Sequence, residues 1–204
     1  MAAVSMAGRA NQELRTRNAI VQAAAELSRT GREVSMPEVA QAALVSEATA
    51  YRYFPDLASL LQEAIAGQLP GPDEALAPLA GSDDPVARIA AATEFLLRHV
   101  QSRQGVVRAL IAATITRPGD PQARPGLRFA LIDSALAPLD AALDPAALTQ
   151  LKRDLTVVVS AEALFSLTDQ YGLGPEEAIT SIVHTATALT RTAQRDHADA
   201  RANI

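Results

Sequence analysis

Apolar residues recur along this chain at helical intervals, and no stretch alternates with a period of two. Over residues 12 to 30, Ile20, Ala23, Ala24 and Leu27 fall at i, i+3, i+4 and i+7 ahead of Gly31, the spacing that lines one face of an α-helix. Met36, Val39, Ala40 and Ala43 repeat it over 36 to 43. Ser35 stands before that run, with Glu38 three residues on. Hydroxyl and carboxylate in that order form a capping box, each accepting from a backbone N–H that the helix start leaves free. Ser46 and Asp56 mark the caps of two further helices. The first quarter therefore reads as a helix, a short helix, a three-residue turn, another short helix and a fourth.

Between Gly67 and Arg88 three Gly and four Pro interrupt the pattern, which one continuous helix does not tolerate. Only a short helical piece, Glu74 to Leu79, is expected there. The segment separates a small N-terminal domain, residues 10–66, from a larger one, residues 67–204. Helices are predicted over Val86 to Arg103 and Gly105 to Thr116, with a break at 117 to 126. Two more follow over Leu127 to Leu143 and from Pro145, at a helix start, to Tyr171. Gly172-Leu173-Gly174-Pro175 stops that helix and opens the last, to Arg195, with a frayed tail from Asp196. The expected fold class is all-α, with an N-terminal three-helix domain ahead of a larger helical one.

Composition narrows the possible chemistry. With 49% hydrophobic residues the 204-residue chain can bury a sizeable core. The formal net charge is −5, but residues 1 to 55 hold six Arg against five Glu, whereas the rest holds twelve basic and eighteen acidic residues. A polyanion, if one binds, meets the N-terminal quarter. The absence of Cys excludes disulfides, thiolate metal sites and cysteine nucleophiles. The start MAAVSMAGRANQE lacks a signal-peptide pattern, and no run approaches ~18 apolar residues. A cytoplasmic protein without a membrane partner is expected.

Against a total of three Tyr, four Phe and no Trp, the stretch LVSEATAYRYF places Tyr51, Tyr53 and Phe54 within four residues, around Arg52. A helix, a short turn and a helix over about 35–54 is the outline of a helix-turn-helix, whose second helix lies in the major groove of DNA. Helical spacing sends Ala50 and Phe54 to the core and leaves the other face outward. Tyr51 can lay its ring on a thymine methyl or sugar edge. Thr49 and Tyr53 can donate to phosphate, and Arg52 can reach phosphate or a guanine edge. With Ser35, Ser46 and Glu47 these are the candidate DNA-binding residues. A plain hydrophobic anchor at a helix end is the competing reading.

From Arg15 to Leu61 the chain resembles the DNA-binding domain of the TetR family of bacterial transcriptional repressors. Gly31, Val34-Ser35, Val39-Ala40, Val45-Ser46, Thr49, Tyr51, Tyr53-Phe54 and Leu60-Leu61 match in order and spacing. The resemblance implies a homodimer that covers double-stranded operator DNA and releases it when a small-molecule effector binds the C-terminal domain. Two positions depart from the family pattern. The turn carries Leu44 where the family usually has Gly, and a leucine does not readily take a positive φ, so the turn must be built differently or tolerate strain. Leu57 stands where the family often places a phosphate-contacting Lys. Glu47, near the expected phosphates, adds electrostatic cost unless it accepts from a cytosine amino group.

The C-terminal sites are less specific. Leu148, Leu151, Leu155, Val158, Glu162, Phe165 and Asp169 fall on one face of the predicted long helix. Glu162 either orients a cationic or hydroxyl-bearing ligand or pairs with an Arg. Mixed apolar and polar character in the middle helices marks Phe95, Arg98, Leu110, Thr114, Phe129 and Phe165 as further ligand-binding candidates. The resemblance assigns the dimer to the last two long helices, which puts Ser160, Ala161, Leu164, Ile179, Ile182, Val183, Ala186 and Leu189 at the interface. Packing within one chain competes for the same residues.

No GxSxG, GxGxxG, P-loop or HExxH spacing occurs. Glu162 and Asp169 are two helical turns apart, ~10 Å of rise, with no other convergent group. Neither catalysis nor a metal or cofactor is expected. The sequence does not separate repressor from activator, and a protein-interaction module that uses the Tyr-Arg-Tyr run remains an alternative.

Overall fold

The computed structural model describes residues 2–66, 70–116 and 126–202. Among them every regular element is helical: α1 (Ala2–Ser28), α2 (Met36–Ala42), α3 (Glu47–Tyr53), α4 (Leu57–Ala66), α5 (Pro72–Leu76), α6 (Pro85–Ser102), α7 (Gln104–Thr116), α8 (Leu127–Leu136), α9 (Pro145–Val158), α10 (Ala161–Phe165) and α11 (Pro175–Ala202). Short 3-10 turns follow α5 and α8, and a π-helical turn, Ser166–Gln170, follows α10. The break expected at 117–126 lies, but for Gly126, outside the described residues. No described helix is long and apolar enough to cross a membrane.

The chain divides into two compact units, Met1–Leu69 with Ser102–Pro125, and Pro70–Gln101 with Gly126–Ile204. In the first, α1 contributes Ile20, Ala23 and Ala24 to the core and α2 contributes Met36, Val39 and Ala40. Ala50 and Phe54 enter from α3 and its cap, and Leu60, Leu61, Ala64 and Ile65 from α4. This core also takes in Val106 and Leu110 of α7, a helix that the boundary drawn at residue 66 leaves to the second domain.

Gly105 makes that packing possible. A Cβ on it would stand 2.1 Å from the Arg32 carbonyl oxygen, so only a residue without one lets α7 abut the loop between α1 and α2. Its N–H donates to the Gly31 carbonyl at 3.4 Å.

The second unit is organised by α5 against α8, α8 against α9, and α11 against α9 and α10. Ile89, Leu97, Leu131, Ile132, Leu136, Leu155 and Val159 are its largest fully buried side chains. Arg88 of α6 donates to the carbonyls of Ser134 and Ala135 at the end of α8, and to those of Leu79 and Ser82. One guanidinium thereby satisfies the Ser134 and Ala135 carbonyls, which the end of α8 leaves open.

Four predicted boundaries are corrected. The helix expected from Pro145 to Tyr171 is broken: α9 ends at Val158, Val159 leaves the helical region at φ −80° and ψ 73°, and Ser160 caps α10 by accepting from Ala163 N–H. The run Val157-Val158-Val159-Ser160 supplies three β-branched residues, which lose side-chain freedom in a helix, and a residue that favours caps. The helix expected over Leu127 to Leu143 ends at Leu136 in a 3-10 turn containing Pro138. The last helix runs to Ala202, where a frayed tail from Asp196 was expected, and the first starts ten residues earlier than its apolar pattern, at Ala2.

Candidate nucleic-acid interface

The helix-turn-helix is fixed by its caps. Ser35 accepts from the Glu38 backbone N–H, and the Glu38 carboxylate accepts from the Ser35 N–H at 2.9 Å and its hydroxyl at 2.6 Å. Those bonds, the hydroxyl's first, hold the Glu38 carboxyl below the ordinary glutamate range. Ser46 caps α3, accepting from the Thr49 N–H at 3.2 Å, and the two hydroxyls lie 2.8 Å apart. Asp56 caps α4 by accepting from the Ser59 N–H at 2.8 Å.

Between α2 and α3 the turn closes through two backbone bonds, Val45 N–H to Ala40 carbonyl at 2.9 Å and Leu44 N–H to Gln41 carbonyl at 3.1 Å. This is the helix-ending pattern that places its penultimate residue in the left-handed region, usually as Gly. Leu44 takes that conformation, φ +56°. The turn is therefore built in the usual way, and the strain is tolerated.

Ala50 and Phe54 are buried, as the helical spacing predicts, while Glu47, Ala48, Tyr51 and Arg52 are exposed. Thr49 and Tyr53 are half-buried, and the Arg52 guanidinium lies 5.2 Å from the Tyr53 ring centroid. Six of the seven candidate DNA-binding residues thus gather on α3 and its cap, and Ser35 stands apart as the cap of α2. Behind them, Arg17 of α1 makes a two-pronged ion pair with Glu63 of α4 and lies 4.9 Å from the Phe54 ring centroid. Both charged partners are more than a third exposed, so the pair orients the helices more than it stabilises them. Leu57, where a phosphate-contacting Lys was the family expectation, is half-buried and packs against the core.

The C-terminal candidates divide between the two units. Leu110 and Thr114 lie on α7, in the first unit, and Leu110 is part of its core. In the second unit Phe95 and Phe165 are half-buried and Phe129 is exposed. Arg98 is taken by Glu94 and Glu176 at 2.8 and 3.0 Å, and Glu162 by Arg128 at 3.8 Å. Of the dimer candidates, Ser160, Leu164, Ile179, Ile182 and Ala186 are buried within the chain. Only Ala161, Val183 and Leu189 keep partly exposed surface. Sequence reasoning missed a groove of about 530 Å³ between α9 and α11, lined by Leu151, Leu189, Asp144, Asp154, Asp196 and His197 among others. The Nε2 atom of His197 is buried without a hydrogen-bond partner. No group of carboxylates, histidines or cysteines suited to a metal occurs among the described residues.

Residues 20–64 match the model of the bacterial regulatory proteins of the tetR family. Two solved structures are similar over most of the chain. A TetR transcriptional regulator from Rhodococcus sp. RHA1 is 25% identical, with 87% of this chain and 97% of that one covered and a TM-score of 0.50. A tetR-family transcriptional regulator from Streptomyces coelicolor is also 25% identical, with 87% and 81% covered and a TM-score of 0.52. Among curated proteins, none matches.

Proposed function

We propose that the chain is a transcriptional regulator of the TetR family, a cytoplasmic repressor that binds operator DNA as a homodimer and lets go when a small molecule occupies its second unit. The observation that carries the reading is α3. Ser46 caps it, Ala50 and Phe54 anchor it at 0% and 3% exposure, and Tyr51 and Arg52 are exposed beside them. A large aromatic side chain left in water is costly, whereas a groove wall of sugar edges and phosphates suits a ring with a polar tip.

In this scheme Tyr51 takes a thymine methyl or sugar edge and its hydroxyl a phosphate, while Thr49 and Tyr53 donate to phosphates and fix register. Arg52 reaches phosphate or guanine. Glu47, at the first position of α3, accepts from a cytosine amino group or weakens binding. Val183 and Leu189 support an α9–α11 dimer face because they remain partly open on α11. In a dimer, two copies of α3 address half-sites one helical turn apart, about 34 Å. Ligand favours a spacing that no longer fits. The coupling typically amounts to ~1–3 kcal/mol and is reciprocal, so operator DNA weakens the ligand to the same degree.

Tyr51→Ala tests the reading. Loss of sequence-specific DNA binding with unchanged circular dichroism and unchanged mass by analytical ultracentrifugation supports it. Unchanged specific binding contradicts it, and a stable monomer of the parent protein at micromolar concentration contradicts the dimer.

A further inference from the structure

Leu44 lies in the costlier of its alternatives twice over. The two bonds that close the end of α2, from Val45 to Ala40 and from Leu44 to Gln41, require its left-handed backbone at φ +56°, where a β-carbon crowds the following carbonyl. At the other positive-φ positions among the described residues, 31 and 172, the chain uses glycine. The side chain gains nothing in exchange: at 93% exposure Leu44 is the most exposed large apolar residue described. Neither the fold of the first unit nor its core explains a leucine here.

Its place in the chain points elsewhere. Leu44 stands two residues before the Ser46 cap and three before Glu47, the first residue of α3, at the end of the recognition helix whose residues meet base edges. Leu44, Glu47 and Tyr51 are all exposed, so the turn and α3 both offer side chains to a partner. An apolar group there has one feature of the major groove to bind, the C5 methyl of thymine, which distinguishes that base from every other.

Resting on the DNA-binding reading above, we propose that Leu44 is a specificity-determining residue, whose side chain packs on a thymine methyl at one position of each half-site. Glycine would relax the turn but leave that methyl uncovered.

Duplexes selected from a random pool by the parent protein supply the DNA, and each thymine is then replaced in turn by uracil, which differs only in lacking the methyl. For the parent protein, one position per half-site weakens binding about fourfold, the worth of one buried methyl-sized group. Leu44→Gly melts at a higher temperature, binds the selected duplex more weakly, and no longer senses uracil at that position. Leu44→Ala, which keeps the β-carbon, shows the same insensitivity without the gain in melting temperature. The same uracil profile in parent and Leu44→Gly overturns the proposal, as does a lower melting temperature for Leu44→Gly. A parent protein that selects no sequence at all overturns the DNA-binding reading itself, a distinct result.

Discussion

Substituting alanine for Gly105 loads a close backbone approach in the first unit. The added Cβ would lie 2.1 Å from the Arg32 carbonyl oxygen, 2.4 Å from its carbon and 2.7 Å from the Glu33 nitrogen. Ordinary contact begins near 3.4 Å, so the backbone of α7 or of the loop must retreat by more than an ångström. No flexible side chain can swing away instead, because all three atoms belong to the main chain. The same retreat stretches the Gly105 N–H to Gly31 bond, already 3.4 Å long, past useful length. Forced overpacking of this kind costs about 1–3 kcal/mol. In a chain of this size each kcal/mol moves the melting temperature by roughly 2–4 °C, so a fall near ~6 °C is expected by circular dichroism. Because the strained loop leads directly to the Ser35 cap of α2, operator affinity falls with it. Gly81→Ala, with nothing within 4 Å of the new Cβ, is the matched control and melts like the parent. Gly105→Ala melting within ~1 °C of the parent would refute the reasoning.

Phe54→Ala removes a 3% exposed ring from the core and should cost about 3–5 kcal/mol by denaturant titration, whereas Tyr51→Ala, at 47% exposure, should leave stability within about 0.5 kcal/mol and remove specific DNA binding. Ser35→Ala breaks the capping box and should cost about 1 kcal/mol near neutral pH. Because Glu38 is held below its ordinary value by bonds from the Ser35 hydroxyl and N–H, its contribution is complete above about pH 4.3, the ordinary glutamate value, and is lost as pH falls through the lower folded value. The gap between parent and Ser35→Ala, measured by urea unfolding across that window, should therefore narrow on the acid side; a gap that widens there contradicts the assignment.

The helix-turn-helix was legible because its determinants are local. Ser35 with Glu38, Ser46 and Asp56 each satisfy a helix start within three residues, and Ala50 and Phe54 fall on one face by spacing alone. The conformation of Leu44 was not legible, because side-chain preference argues against it and two backbone bonds outside the side chain's control decide it. The break at Val159 was hidden for a different reason. Leu155 and Glu162 stay seven residues apart whether or not the helix is continuous, so periodicity runs through the break, and only the three valines before Ser160 signal it. Periodicity likewise gave the stripe Ile179, Ile182 and Ala186 but not what covers it, which is the chain's own core. The place of α7 rests on Gly105, and a close backbone approach leaves no mark in a single sequence beyond the glycine itself.

The most direct test of the central claim is fluorescence anisotropy of the purified protein on DNA from upstream of its own gene, titrated at several salt concentrations and against an excess of unrelated duplex. The account predicts binding that survives the competitor and falls linearly with the logarithm of salt concentration, by a slope reflecting the phosphates contacted. Binding equal on every sequence, vanishing as salt rises, would contradict a sequence-specific regulator and leave the Tyr-Arg-Tyr face of α3 to a protein partner.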